Sequence, residues 1–404
     1  MPIEELISLT KKQFEKQNKD SEMQFLYAKD EPPASGLVID NPQLEYILDR
    51  RFLAYGRCYL FYGKKGASKT SLFLDIAKAF QKQGGDVIWI ETEHAIDLDF
   101  AKKQGVNLDK LVLLHPSSLE EALSLAEQIV RNMPKAYPDG NTPVLICLDS
   151  IAGSVTEYEV DTSHSVRDVK PGEHARLLSR FYREFERPLA KERCIFLALN
   201  QLKVSIGGFG GFGEEPPESM IGGEAPRFHS TYQLKIVRTK DLTYETDKHE
   251  KIKIGSRHQI TCKRNKLGKE GNSQNVEFDL YIDGGIDWYG PLVRRTAKFY
   301  PEVISSGGAG WYNWNVPNIH YTTGEGGNEL ISTEDNYREP DLARLISSSP
   351  EAKEVIRKCL KIPDLPPEKV IAQLEVARLS KRKTKKSLEE EPGVSRLVEE
   401  DPSE

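Results

Sequence analysis

Between residues 57 and 199 the chain repeats one pattern, a short apolar run followed by a longer stretch with helical spacing. The runs are Cys58–Tyr62, Asp86–Ile90, Lys110–Leu114, Val144–Leu148 and Cys194–Leu199, and the helical stretches lie at about 70–83, 119–132 and 173–191. Short apolar runs without alternation suit strands buried on both faces, and long connections between them suit helical crossovers. The pattern predicts an α/β fold with a mostly parallel central sheet and helices on both faces. Strand-like segments at 231–238, 257–264 and 275–282 follow at closer spacing, as in a meander. A Gly-, Trp- and Tyr-rich stretch at 284–315 then leads to a smaller α+β region with one expected helix from Pro340 to Leu360. At the other end, Ile3, Leu6, Ile7 and Phe14 among charges predict a short amphipathic helix over 3–18, and Pro32-Pro33-Ala34-Ser35-Gly36 reads as a linker. The expected division is an N-terminal helix and linker at 1–35, a core at 36–294, a small C-terminal domain at 295–376 and a tail at 377–404.

In a sheet of this kind ligands bind beyond the carboxyl ends of the strands, and polar chemistry recurs there. The first run leads into Gly63-Lys64-Lys65-Gly66-Ala67-Ser68-Lys69-Thr70. This is one residue short of the phosphate-binding pattern G-x-x-x-x-G-K-[ST], because Ser68 stands where the second glycine is usual. Such a loop needs backbone N–H groups turned toward phosphate oxygens, a lysine for the β- and γ-phosphates and a hydroxyl for magnesium. Lys69 and Thr70 supply the last two, and Gly66 lends Ser68 some backbone freedom. The later runs end in Glu91-Thr92-Glu93-His94, Asp149-Ser150 and Asn200-Gln201. Asp149 is the carboxylate expected near the magnesium through water. Glu93 would polarise an attacking water as general base, and the neutral Gln201 is placed to sense a γ-phosphate. Any one of them alone also reads as a polar strand end capping a helix. Four compatible strand ends together favour ATP and Mg2+.

Directly after Gln201 comes a segment too rich in glycine to hold a regular element without a large entropic cost, Leu202 to Gly213. Phe209 and Phe212 suit stacking on bases and Lys203 suits a phosphate, with Ile206 and Gly207 between them. A surface insertion is the competing reading. A second segment, Asp161–Gly172, mixes His164, Arg167 and Lys170 with acids, and the helix after it carries Arg176, Arg180, Arg183 and Arg187. Arginines so spaced also read as a solvated helix face.

Glu93-His94-Ala95-Ile96-Asp97, Asp149-Ser150-Ile151-Ala152 and Asn200-Gln201-Leu202 resemble the signature segments of RecA-family recombinases. Their order and spacing agree, with 24 residues from Lys69 to Glu93 and 52 from Asp149 to Gln201. The similarity continues through Gly222-Gly223, Arg264-Asn265-Lys266 and Gly285-Ile286-Asp287-Trp288-Tyr289-Gly290, and spans about 50–360. The irregular phosphate loop, the drifted flanks and the acidic tail look more like phage recombinases of the UvsX kind than like bacterial RecA. The resemblance implies a homologous recombinase that forms a helical filament on single-stranded DNA, pairs it with double-stranded DNA and turns over ATP. It implies Glu93 as catalytic glutamate, Gln201 as switch between the ATP and DNA sites, and Phe100 stacked on adenine with Asp97 near the base, although Phe100 on its own reads as a core aromatic. It makes the two segments above the DNA loops, with Arg176 a DNA contact. It also sends Arg264 and Lys266 across a subunit boundary to the neighbour's γ-phosphate, and docks the N-terminal helix on the next subunit. A single-strand-binding protein and a loader are further partners it allows.

The net charge of −6 does not argue against DNA. Residues 387–404 hold seven acids and one base, so residues 1–386 are formally neutral, and Lys381-Arg382-Lys383-Thr384-Lys385-Lys386 precedes the acidic end. This tail reads as a solvated, disordered end, and equally as a competitor with DNA phosphates for basic patches. Five scattered cysteines without a Cys-x-x-Cys pair fit a reducing cytoplasm, that of the host if the chain is phage-encoded. No apolar run approaches the length of a bilayer span. A helicase-like motor, an ATP-gated single-stranded-DNA coat with little turnover and a small-molecule kinase remain competing readings. The short N-terminal region speaks against the first and the glycine–aromatic loop against the last, while Ser68 keeps the coat reading alive.

Overall fold

The computed structural model describes residues 3–17, 34–93, 96–161, 172–204, 218–245, 249–268, 275–324 and 326–363. The first helix, α1 (Ile3–Gln17), is exposed along most of its length. Strand β1 (Gly36–Val38) pairs with β2 (Phe52–Ala54), and α2 (Pro42–Leu48) lies between them. Helix α2 starts where it does because Asn41 accepts hydrogen bonds from the N–H groups of Gln43 and Leu44, with Pro42 in the first turn, where its missing N–H costs nothing.

The core follows as β3 (Arg57–Gly63), α3 (Lys69–Lys82), β4 (Asp86–Glu91), α4 (Leu98–Lys103), β5 (Leu111–Leu114), α5 (Leu119–Ala136), β6 (Val144–Asp149), α6 (Glu157–Val160), α7 (Glu173–Leu189) and β7 (Cys194–Val204). Next come β8 (Glu218–Met220), α8 (Ala225–His229), β9 (Tyr232–Glu245), β10 (Lys251–Asn265), β11 (Asn275–Tyr281) and β12 (Gly285–Asp287). The central sheet runs β12-β11-β10-β9-β3-β7-β6-β4-β5, with β8 paired to β7. Strands β9, β3, β7, β6, β4 and β5 pair in parallel, and β9 to β12 form an antiparallel meander, so the sheet is mostly parallel with an antiparallel flank.

Alternation along β3 shows how both faces are buried. Tyr59 and Phe61 pack with Leu72, Phe73, Ile76 and Phe80 of α3 on one face. Cys58, Leu60 and Tyr62 pack with α5 and α7 on the other, against Val130, Leu178, Phe181 and Phe185. Period-2 strands and 3.6-residue helix stripes thus meet on each side.

Three of the expected elements differ in extent. Strands β9 and β10 run to Glu245 and from Lys251, well beyond the expected segments, because their outer halves are exposed and only the short alternation at Ile252 and Ile254 marks them. The helix expected over Pro340–Leu360 is broken into α10 (Glu339–Ser348) and α11 (Pro350–Cys359). The residue before a proline is pushed out of the helical region. Ser349 is accordingly extended at φ −110°, ψ 106°, and its hydroxyl caps α11 by accepting from the N–H of Ala352.

A third cluster, which includes Leu292, Val293, Ile304, Trp314, Leu342 and Ile356, is built from α9 (Tyr289–Phe299), β13 (Ile304–Gly308), β14 (Trp311–Trp314), β15 (His320–Thr322), β16 (Asn328–Leu330), β17 (Asn336–Arg338), α10 and α11. It is tied to α2 by charge. Arg357 donates to both carboxylate oxygens of buried Glu45, at 2.6 and 2.7 Å, and to Asp40 at 2.9 Å, while Lys353 donates to the other oxygen of Asp40.

Candidate functional site

The site forms at the carboxyl edge of the parallel strands. Strand β3 ends at Gly63, where an added Cβ would lie 2.2 Å from the carbonyl oxygen of Ile236. The chain then turns through Gly66 (φ +77°) and reaches Ser68 in the left-handed conformation, φ 63°, ψ 34°. Ser68 occupies the N-cap position of α3 and makes no side-chain cap bond. The first N–H groups of α3 are thereby left to an anion, and the helix dipole favours one there.

Lys69 is nearly buried, and its ammonium donates to the carbonyls of Gly63 and Lys64, both at 3.2 Å. Burial pushes its pKa down, with the charges of Asp149 and Glu93 opposing. Thr70 donates its hydroxyl proton to Asp149 Oδ2 at 2.8 Å. Burial pushes the Asp149 carboxyl up to about 6, the Thr70 hydrogen bond opposes, and Glu93 and Glu91 add to the rise. A buried carboxylate beside a hydroxyl is the hard oxygen donor set that magnesium prefers, and a cation there would relieve the repulsion from the neighbouring glutamates.

Glu93 stands opposite. Its Oε1 accepts from Ser150 Oγ at 2.5 Å and from Gln201 Nε2 at 2.9 Å, and its backbone N–H donates to Glu91 at 2.8 Å. Gly153 leaves room for it, since an added Cβ would come within 2.5 Å of Glu93 Cγ. Lys69, Thr70, Glu93, Asp149 and Gln201 are therefore gathered in one place from the ends of β3, β4, β6 and β7.

Past Gln201, β7 continues and pairs with β8, with Leu202 opposite Met220, Lys203 opposite Ser219 and Val204 opposite Glu218. The two strands form a ribbon at the base of residues 205–217. Ile206, Gly207, Phe209 and Phe212 lie there, outside the described residues, as do His94, Ala95 and residues 162–171. Arg176 is exposed on the first turn of α7. The chain leaving β8 packs against that turn, because a Cβ on Gly222 would lie 2.4 Å from Leu178 and one on Gly223 2.9 Å from Ala175.

A cleft of about 530 Å³ lies between α4 and the strands β10 and β11, lined by Asp97, Phe100, Lys103, Lys253, Ser256 and Tyr281 among others. Asp97 caps α4 by accepting from the N–H of Phe100 at 2.8 Å. Phe100 is half-buried, packed on the core from one side and facing the cleft from the other. Lys253, Ser256 and Tyr281 carry no motif; Lys253 and Ser256 lie outside the strand-like segments of the sequence, and Tyr281 is in the one at 275–282.

Arg264 and Lys266 do not join this site. Arg264 lies at the end of β10, which runs antiparallel to β9, and Lys266 just beyond it; the N–H of Lys266 bonds Thr231, whose own N–H bonds Cys58. Lys266 is thus level with the start of β3, roughly 16 Å along the strand direction from Gly63. Both side chains donate to α8, Arg264 to the carbonyl of Arg227 at 3.4 Å and Lys266 to that of Phe228 at 2.7 Å.

The family model for the RecA N-terminal domain matches residues 5–287. Protein RecA of Geobacter sulfurreducens is 30% identical over 317 residues, 78% of this chain and 87% of that protein. Protein RecA of Gluconobacter oxydans is 32% identical over 264 residues, 65% of this chain and 70% of that protein. No helix among the described residues is long and apolar enough to cross a membrane. With the match covering the phosphate loop, all four strand ends and the β7–β8 ribbon, the chain belongs to the RecA family of ATP-dependent recombinases, which act in homologous recombination and repair.

Proposed function

We propose that this chain is a DNA-dependent ATPase that assembles head to tail on single-stranded DNA and exchanges strands with a homologous duplex. The observation that carries this reading is the 2.9 Å hydrogen bond from Gln201 to Glu93. It ties the candidate general base to the strand that runs directly into residues 205–217, so occupancy of one end bears on the other. ATP phosphates would lie on residues 63–70, with Lys69 released from the Gly63 and Lys64 carbonyls to meet them. Thr70 and Asp149 would hold Mg2+, which neutralises phosphate charge when bound. Glu93, oriented by Ser150, takes a proton from the attacking water, and Gln201 reports the state of the γ-phosphate to the ribbon.

Adenine would occupy the cleft beside Asp97 and Phe100. The DNA-contacting residues we assign are Arg176, Lys203, Ile206, Gly207, Phe209 and Phe212; the close packing of Gly222 and Gly223 on α7 supports bringing both segments to one face. Arg264 and Lys266 act on a neighbour's ATP, a reading favoured by their place at the opposite edge of the sheet. The division into 1–35, 36–294, 295–376 and 377–404, and the phage-type assignment, which rests on Ser68 and the acidic tail, belong to the same proposal.

The test is ATP hydrolysis by the full chain with and without single-stranded DNA, beside Lys69→Ala and Glu93→Gln. Stimulation by DNA that both variants lose is expected. Turnover indifferent to DNA would overturn the coupling through Gln201, and DNA binding without turnover would leave an ATP-gated coat.

A further inference from the structure

Ser68 is the residue at which the phosphate loop departs from its pattern, and the fold supplies a partner for that departure. A side chain with a Cβ is disfavoured at φ 63°, where glycine is at ease. Serine is also a strong N-cap residue, and in its ordinary extended conformation its hydroxyl would accept from the N–H groups of the first turn. Those are the N–H groups a phosphate needs. An unrestrained serine would therefore close the anion site by capping its own helix.

In the structure the hydroxyl is turned elsewhere. Ser68 Oγ lies 3.1 Å from Nε2 of His258, which also lies 2.8 Å from Ser256 Oγ. His258 comes from the middle of β10, 190 residues further along the chain, is fully buried, and stacks on Phe278 with ring centroids 5.0 Å apart and planes 13° from parallel. Ser256 in turn lines the cleft beside Asp97 and Phe100. Burial, with help from the charge of Arg238, pushes the imidazole down to about 4, so it is neutral near pH 7.

We propose that His258 is a positioning residue for the phosphate loop, holding the Ser68 hydroxyl so that the loop keeps an open, left-handed turn where the pattern has glycine. The inference rests on reading residues 63–70 as the ATP site. It makes a buried side chain of the antiparallel flank part of nucleotide affinity, and links the loop to the wall of the base cleft through one ring.

The test is a double-mutant cycle on the full chain, read as affinity for a fluorescent N-methylanthraniloyl ATP with Mg2+. His258→Leu is placed in the parent and in Ser68→Gly, with Ser68→Ala and His258→Gln alongside. With Ser68 present, His258→Leu is expected to weaken binding about tenfold, the scale of one buried hydrogen bond. Ser68→Ala, which has no hydroxyl to cap the helix, should lose less than His258→Leu while leaving the core intact, and His258→Gln, which keeps a polar end, should also lose less. In the Ser68→Gly background, whatever its own affinity, His258→Leu should change binding less than about twofold. Equal losses in both backgrounds, or a larger loss in Ser68→Ala than in His258→Leu, would overturn the inference and leave His258 a packing residue. Should the parent chain fail to bind the analogue, the ATP reading itself falls, and the inference with it.

Discussion

The role proposed for Glu93 depends on the residues that place it. Its carboxylate is exposed, so its position comes from what it touches, Ser150 and Gln201 by hydrogen bonds and Gly153 by the space it leaves. A methyl group on Gly153 would sit 2.5 Å from Glu93 Cγ, below any ordinary contact distance, and the carboxylate would have to move. Gly153→Ala should lower DNA-stimulated hydrolysis by at least about tenfold, since misplacing a general base forfeits most of its contribution. Affinity for the ATP analogue should change by less than about threefold, because the phosphate loop is untouched. Hydrolysis and binding measured on one preparation check this, and unchanged turnover would show that Glu93 is not held as described. Glu93, Asp149 and Gln201 were legible in the sequence because each follows an apolar run, and Lys69 and Thr70 because the phosphate-loop pattern names them. Gly153 and His258 were not, and Ser150 was named without its contact to Glu93, because what they do depends on which side chain faces them across the fold. Phe100 had two readings, as core aromatic and as base platform, and the structure gives it a surface for each.

Among the elements, the parallel strands were legible from their apolar runs, the short buried α2 and β2 carried no run long enough to mark them, and the half-exposed β9–β10 hairpin and C-terminal helices were misjudged in extent. The outer part of the β9–β10 hairpin is held by backbone pairing with little burial, so only the short alternation at Ile252 and Ile254 marks it. The break at Ser349 was visible in principle, as Pro350 follows it, but the apolar stripe continues through both α10 and α11 and suggested one helix. Packing of α11 on α2 rests on charge buried within the protein. Glu45 is fully buried, and its carboxylate accepts two hydrogen bonds from Arg357. Burial pushes the Glu45 pKa up despite Arg357 and Arg51, a sign of how costly its charge would be if left alone. Removing one partner of such a pair strands the other, so Arg357→Ala should destabilise the protein by about 3–5 kcal/mol. Replacing both, as Arg357→Met with Glu45→Leu, should recover most of that loss. Urea unfolding of the two variants decides the matter, and equal losses in both would mean that the contact matters through packing alone.

At the scale of the whole molecule, the phosphate loop and the Arg264–Lys266 pair occupy opposite edges of one sheet. A rigid, doubly covered sheet cannot bend to bring them together, so if both serve one ATP they must come from two copies of the chain. A contact between unlike surfaces that does not close on itself propagates as a helix, which suits a filament better than a dimer. The arrangement can be tested without knowing the filament's geometry. Lys69→Ala carries intact Arg264 and Lys266, whereas the double variant Arg264→Ala, Lys266→Ala carries an intact phosphate loop. Each alone should show little DNA-stimulated hydrolysis. Mixed in equal amounts before DNA is added, they should regain about a quarter of the parent rate, because random order places an intact loop against an intact basic pair at about one boundary in four. Activity that stays at the level of the separate variants would mean that Arg264 and Lys266 serve their own subunit or none, and the head-to-tail reading would fall. Recovery near a quarter would place the second half of each ATP site on the neighbour, making turnover a property of the assembly.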